Sequence, residues 1–316
     1  MDTVTAMLDG HSARGAFLLR CVMDSPWSMA IQDRAAVAVV VIASGSAWLV
    51  PDEGDPIPLS AGDVAVVRGP GPYVLADTAD TPPEIVIEPG QRCRSLRGED
   101  LAVSLRRGVR TWGNGTRGDT VMLTGTYEMH SQVTGRLLEA LPDRIVLRAG
   151  EWGGFAVPAL QEEMARDAPG QDAVLNRLMD LLLVAAVREW FTRHTTQAPA
   201  WWNAQNDAVV GAALELMHDE PDQPWSVDRL ASGVGVSRAT LARRFTTLVG
   251  QPPMTYLTSW RLTLAADRLL GTDATVASVA RQVGFANPFS FSAAFKRQYG
   301  VSPQQFRAET PVAHTL

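Results

Sequence analysis

The chain has 316 residues, 46% of them hydrophobic and 20% charged, an ordinary globular composition and too much sequence for one small core. No apolar run approaches the roughly 18 residues of a membrane span, and the opening "MDTVTAMLDGHSARG" lacks the basic start and apolar core of a signal peptide, so a cytoplasmic protein without membrane contact is expected. The net charge of −6, taken alone, argues against a nucleic-acid partner.

From residue 16 to about 130, short β-branched or alternating runs ("FLLRCVM", "AVAVVVIASGSAWLV", "DVAVVRG", "EIVIEPG", "TVMLTGTYEM") are separated by Gly, Pro and Asp, which predicts an antiparallel sandwich or barrel. "AVAVVVIA" is short and β-branched, the mark of a buried strand. "TGRLLEALP" reads as a short helix before a last strand, "RIVLRA".

"QDAVLNRLMDLLLVAAVREWFTRH" places Leu175, Leu178, Leu182, Ala185, Ala186 and Trp190 near helical spacing, with Asp172 in the first turn and His194 at the end. Leu181, Leu183, Val184 and Val187 widen the stripe, so one face packs on the β-domain and another on a second copy of the chain. Leu175, Leu178 and Leu182 are the dimerisation candidates, and "TTQAPAWWNAQ" reads as a linker broken by Pro199. The expected division is a sensor domain at 1–165, the dimerisation helix and linker at 166–203, and a helical domain at 204–316.

That helical domain reverses the charge argument. From Ser226 to Arg307 ten basic residues face three acids, a balance of +7 that leaves −13 for the remainder. Within it "SVDRLASGVGVSRATLARRF" and "TVASVARQVGFANPFSFSAAF" share one plan: a short helix, a turn at Gly235 or Gly284, an N-cap at Ser237 or Asn287, and a second helix. Leu241 or Phe291 lies four residues after each cap and Phe245 or Phe295 eight after it, as an inward stripe requires. A helix, a glycine turn and a second helix form the unit that lays its second helix in a DNA major groove. One copy is weak evidence; two in tandem in a basic segment are strong. "PPMTYLTSWRLTLAADRLL" between them predicts a helix of about 27 Å, a little under the roughly 34 Å between successive major-groove windows.

The double motif, "R-L-x-x-A-A-D-R-L-L" from Arg261 to Leu270, and "V-A-x-x-V-G-F-x-N-x-x-x-F-x-x-x-F-K-R-x-x-G-V-S-P-x-x-F-R" from Val279 to Arg307 resemble the AraC/XylS transcription regulators over about the last 105 residues. More weakly, "R-C-V-M-D-S-P-W" and "R-L-L-E-A-L-P" resemble the cupin-type sensor of one branch of that family. The resemblance implies a multidomain fold, an N-terminal all-β cupin-like barrel followed by a C-terminal all-α tandem helix-turn-helix domain. It implies that the outward positions of each second helix meet DNA: Ser237, Arg238, Ala239, Thr240, Ala242, Arg243 and Arg244 in the first motif, and Asn287, Phe289, Ser290, Ser292, Lys296 and Arg297 in the second. Arg243 is suited to a bidentate contact with guanine. Ala293 stands where relatives often carry a charged reader, so the second helix is expected to position more than to decode.

Cupin enzymes hold a metal through histidines on facing strands, but His11, His130, His194, His218 and His314 all fall elsewhere, and Tyr73 occupies the place of the usual late histidine. Neither a metal, a cofactor nor a catalytic residue is expected, and the interior is left for a small-molecule effector. Trp27, Met29, Trp48, Tyr73 and Trp112 either line such a cavity or form plain core. Cys21 reads as a buried thiol or, by resemblance to oxidant-responsive relatives, as a sensor; Cys93 between Arg92 and Arg94 reads as a thiol of depressed pKa. The sum is a DNA-binding transcription regulator controlled by a ligand or oxidant, a homodimer on double-stranded DNA, with RNA polymerase as a further partner if it activates. A DNA-targeted cupin enzyme and a non-specific architectural protein are the alternatives.

Overall fold

The computed structural model describes residues 17–309 except 109, 117, 128–131, 133–134, 136–138, 152–155, 165 and 167. The opening segment, most of the helix expected in "TGRLLEALP", and His11, His130 and His314 lie outside the described residues.

Twelve strands run in chain order as β1 (Phe17–Met23), β2 (Ser28–Ile31), β3 (Val37–Ser44), β4 (Ser46–Pro51), β5 (Ile57–Ser60), β6 (Val64–Arg68), β7 (Tyr73–Ala76), β8 (Ile85–Glu88), β9 (Arg92–Ser95), β10 (Thr111–Trp112), β11 (Thr120–Tyr127) and β12 (Arg144–Leu147). They form two six-stranded sheets, ordered β10-β1-β11-β3-β6-β12 and β5-β4-β7-β2-β8-β9. Alternation decides which side chains meet between them: Cys21, Met23, Met29, Ile31, Ala38, Val40, Ile42, Tyr73 and Leu75 share one buried cluster.

β3 breaks the expected in-out pattern because both of its faces are covered. Ala38, Val40 and Ile42 point into the cluster. Val37, Val39 and Val41 are equally buried but lie outside it, on the side where α1 (Ala156–Met164) packs on β3 and α2 (Gln171–Arg193) packs on the same sheet. Gly125 on β11 makes that approach possible, since a Cβ there would stand 2.5 Å from Cε of Met179. The run "AVAVVVIASGSAWLV" is thus two strands, β3 in one sheet and β4 in the other, separated at Gly45 with φ +76, where a Cβ would lie 2.0 Å from the Asp119 carbonyl oxygen.

The described residues divide into two compact units: 17–127 with 141–194, which includes α2, and 195–309 with the described residues of 130–140. Beyond it come α3 (Ala200–Ala204), α4 (Ala208–Asp219), α5 (Val227–Gly233), α6 (Arg238–Val249), α7 (Pro253–Gly271), α8 (Val276–Gln282), α9 (Pro288–Tyr299) and α10 (Pro303–Glu309). The segment read as a linker therefore contains helix: Ala204 is fully buried and Trp201 packs on the helical core, an anchoring that Pro199 disguised. α7 joins two cores. Tyr256 and Leu257 belong to the cluster around Leu241 and Phe245, whereas Leu262, Ala265, Ala266 and Leu269 belong to the one around Phe291 and Phe295. Its 19 residues span about 28 Å.

Candidate nucleic-acid interface and barrel cavity

Each half of the helical unit repeats the same local physics. The Ser237 hydroxyl accepts from the Thr240 amide at 3.2 Å, and Oδ1 of Asn287 accepts from the Ser290 amide at 2.8 Å, so both residues satisfy donors at the starts of α6 and α9. Gly235 and Gly284 turn the chain with φ +70 and +82, and Gly250 and Gly300 end the helices in the same left-handed region. Leu241, Phe245 and Val249 of α6 and Phe291, Ala294 and Phe295 of α9 face inward.

Outward, α6 exposes Arg238, Ala239, Arg243 and Arg244, with Thr240 and Ala242 half-buried. α9 exposes Phe289, Ser290, Ala293, Lys296 and Arg297, with Ser292 half-buried. Phe289 is 86% exposed, an unusual placement for an aromatic ring in water.

The cations differ in availability. Arg244 donates from Nε at 2.9 Å and Nη2 at 2.7 Å to Oδ2 of Asp207, whose other oxygen caps α4 by accepting from the Val209 and Val210 amides. Against the opposing pull of burial, the Val210 amide and Arg244 hold the Asp207 carboxyl below its ordinary range. Arg244 is thus a brace within the domain rather than a free DNA contact. Arg261 donates to the carbonyls of Pro221 and Gln223, both at 2.6 Å, Arg268 to Gln282 at 2.8 Å, and Arg307 to Leu269 and Ala274 at 3.0 and 2.6 Å. Arg238 pairs with Asp228 at 3.2 Å, both side chains well exposed, a contact of little strength. Among the described residues the side chains of Arg243, Arg281, Lys296 and Arg297 have no internal hydrogen bond or ion pair. Charge alone marked the segment but does not separate free cations from engaged ones, and Arg281, counted in it, was not among the residues expected to meet DNA.

Between the sheets lies a cavity of about 200 Å³. Met29, Tyr73 and Trp112 line it as expected, and so do Cys21 and Cys93. Trp27 and Trp48 do not. Trp27 is buried core, and Trp48 lies on the opposite face of β4 from the inward Ala47 and Leu49. Asp33 and Gln91 also line the cavity. Alternation from Met29 through Ile31 reaches Asp33 on the same face, so that residue was open to discovery from the pattern; Gln91, held at φ +57, was not.

The cysteines are not thiolates. Burial pushes the Cys21 thiol up to about 12, against its contact with Thr124 Oγ1 at 3.9 Å and with a contribution from Cys93. Burial and the Asp100 carboxylate raise Cys93 to about 12. The expected depression by Arg92 and Arg94 fails because alternation turns both outward, where Glu88 takes them at 3.7 and 3.4 Å. The donors around the cavity do not suit a resident metal either: among the described residues no three His, Cys, Asp or Glu side chains stand together. His194 instead stacks on Trp190, and Nε2 of His218 contacts the Tyr256 hydroxyl at 2.8 Å.

On α2, Leu175 and Leu182 are fully buried in their own unit, so they are core residues and not partner-facing. Leu178 is half-buried between Val174 and Leu181, which are 44% and 42% exposed.

Paired, capped second helices on a common scaffold, attached to a β-cavity unit, define a regulator of the tandem helix-turn-helix class. A cupin family model matches residues 2–192 and a helix-turn-helix domain model matches residues 230–309. Similar proteins include a putative AraC-like transcription regulator of Streptomyces lividans, 29% identical over 97% of this chain and 98% of its own, and the HTH-type transcriptional regulator MtrA of Neisseria gonorrhoeae, 27% identical over 98% and 99%. Among solved structures, the DNA-binding domain of AdpA in complex with a target DNA is 31% identical, covering 33% of this chain and 92% of that one, with a TM-score of 0.31. The chain belongs to the AraC family of DNA-binding transcription regulators, with a cupin domain at its N-terminal end. Among the described residues no helix is long and apolar enough to cross a membrane.

Proposed function

We propose that the protein is a cytoplasmic homodimer that reads a specific operator through α6 and α9 and changes its occupancy when a small molecule enters the cupin cavity. The observation that carries this reading is the pairing of Arg243, exposed and without an internal partner on α6, with the 86% exposed Phe289 on α9. Arg243 supplies direct readout and Phe289 meets thymine methyls, while Ser290, Ser292, Lys296 and Arg297 hold the backbone. The engaged arginines brace the helical unit from within and leave the outward faces of α6 and α9 to the unpaired cations. Control follows if the ligand binds better to one of two arrangements of the units, and RNA polymerase is a partner if the regulator activates. No catalytic role is assigned to the barrel, since its donor set supports neither metal nor nucleophilic chemistry.

The test is enrichment of fragments from the source genome by the full-length protein, followed by footprinting. Two protected major-groove windows about one helical turn, roughly 34 Å, apart within each half-site are expected. A single window, or protection without a shared sequence, contradicts the reading.

A further inference from the structure

The barrel cavity has two chemically distinct ends. Leu19, Met29, Val40, Leu75 and Trp112 make much of it apolar. At one end Asp33 and Tyr73 come together, because Tyr73 pairs with Ile31 across β2 and β7 and Asp33 follows two residues later on the same face.

The polar end is built but incomplete. Asp33 accepts from the Ala35 amide at 3.1 Å and from Nε2 of Gln91 at 2.8 Å, and the same nitrogen donates to Oγ1 of Thr126 at 3.2 Å. Each carboxylate oxygen keeps further acceptor capacity. Tyr73 is only 8% exposed, lines the cavity, and its hydroxyl has no hydrogen-bond partner among the described residues. A hydroxyl that faces a cavity without a protein partner is free to pair with whatever occupies it. Burial and the Asp33 carboxylate keep the phenol protonated, which leaves its proton available to a cavity ligand. Gln91 at φ +57 and Arg34 at φ +59 hold left-handed backbone beside this cluster, the kind of local strain that collects at binding sites.

Size and polarity together select the occupant. A cavity of about 150 Å³ accommodates benzene, so about 200 Å³ suits one substituted ring. A carboxylate ligand would face Asp33 with like charge at this end; Arg106 also lines the cavity, with its Nε on the Gly108 carbonyl at 3.3 Å. An ammonium would pair with Asp33 but cannot accept the Tyr73 proton. A single hydroxyl does both, donating to Asp33 and accepting from Tyr73. We propose that the cavity binds a neutral single-ring compound carrying one hydroxyl, a phenol or aryl alcohol, with that hydroxyl between Tyr73 and Asp33; the regulatory meaning of this site rests on the ligand-controlled function proposed above.

Four probes built on one methyl-substituted ring test it by calorimetry on the full-length protein: 4-methylphenol, toluene, 4-methylbenzoate and 4-methylbenzylamine. The expected result is that 4-methylphenol binds about tenfold or more tightly than toluene and that the two charged probes bind more weakly still. Tyr73→Phe should bring 4-methylphenol down to the toluene level while toluene is unaffected, and Asp33→Asn provides a second, shape-preserving variant should the first fail to fold. Equal binding of phenol and toluene, tighter binding of either charged probe, or no binding of 4-methylphenol overturns the proposal. The affinity for an enriched genomic fragment, with and without each probe, separates the two readings. Tight 4-methylphenol binding that leaves DNA affinity unchanged supports the ligand class and sinks ligand control. A DNA response to a charged probe alone keeps control and sinks the class.

Discussion

Arg243 and Arg244 are neighbours in sequence with opposite duties, and the difference lies wholly in what surrounds them. Arg244 reaches back to Asp207, the cap of α4, while Arg243 points outward with no internal partner. Arg243→Ala is expected to weaken operator binding by about 1–3 kcal/mol and to relax preference at one base pair, leaving thermal unfolding unchanged. Arg244→Ala is expected to lower stability by about 0.5–1 kcal/mol, discounted for its half-exposed guanidinium, with equal effects on specific and random DNA. Binding isotherms and melting curves on the same two variants check both outcomes. For the thiols the expectation is inertness. A group whose folded pKa is raised to about 12 carries almost no thiolate near neutral pH, and the fraction grows only as pH climbs toward that value. Alkylation of the native protein by iodoacetamide at pH 7.5 should therefore be far slower than in urea, and mild oxidant should leave DNA affinity unchanged. Rapid native labelling of Cys21 or Cys93 would refute the buried-thiol picture.

Among the elements, those with strong local signals were legible in the sequence. The caps Ser237 and Asn287, the glycine turns and the Leu241/Phe245 and Phe291/Phe295 stripes predicted four helices whose packing follows from those residues alone. What the sequence hid depends on pairs far apart in the chain. The engagement of Arg244 needs Asp207, that of Arg261 needs the carbonyls of Pro221 and Gln223, and the polar end of the cavity needs Gln91 beside Asp33. Helix α2 shows the limit of periodicity most clearly. A helix apolar around much of its surface announces that two faces are used but not which residue serves which, and the sheet takes Leu175 and Leu182 for itself. The remaining Val174, Leu178 and Leu181 form the candidate contact with a second chain. Replacing Val174 and Leu181 with Glu should yield monomers in sedimentation at unchanged helical content, whereas Leu175→Glu should unfold the β-unit by burying an unpaired charge. A Val174/Leu181 variant that stays dimeric would remove this face as the interface.

Across the whole molecule the uneven charge distribution acquires a structural meaning. The basic segment is partly turned inward, with Arg244, Arg261, Arg268 and Arg307 holding the helical unit together, so the cations left for phosphate are few and the net field is acidic elsewhere. A protein so constituted has little means of binding DNA indiscriminately, and its affinity must come from correct seating of α6 and α9 rather than from bulk attraction. The central claim is therefore specificity, and competition at fixed salt measures it directly. The full-length protein bound to its enriched genomic fragment is challenged with unlabelled copies of that fragment and with random-sequence duplex of equal length. Random DNA should compete at least about a thousandfold less effectively, and Arg243→Ala should narrow this ratio. Equal competition by the two duplexes would contradict that specificity and leave an architectural protein that binds DNA by charge.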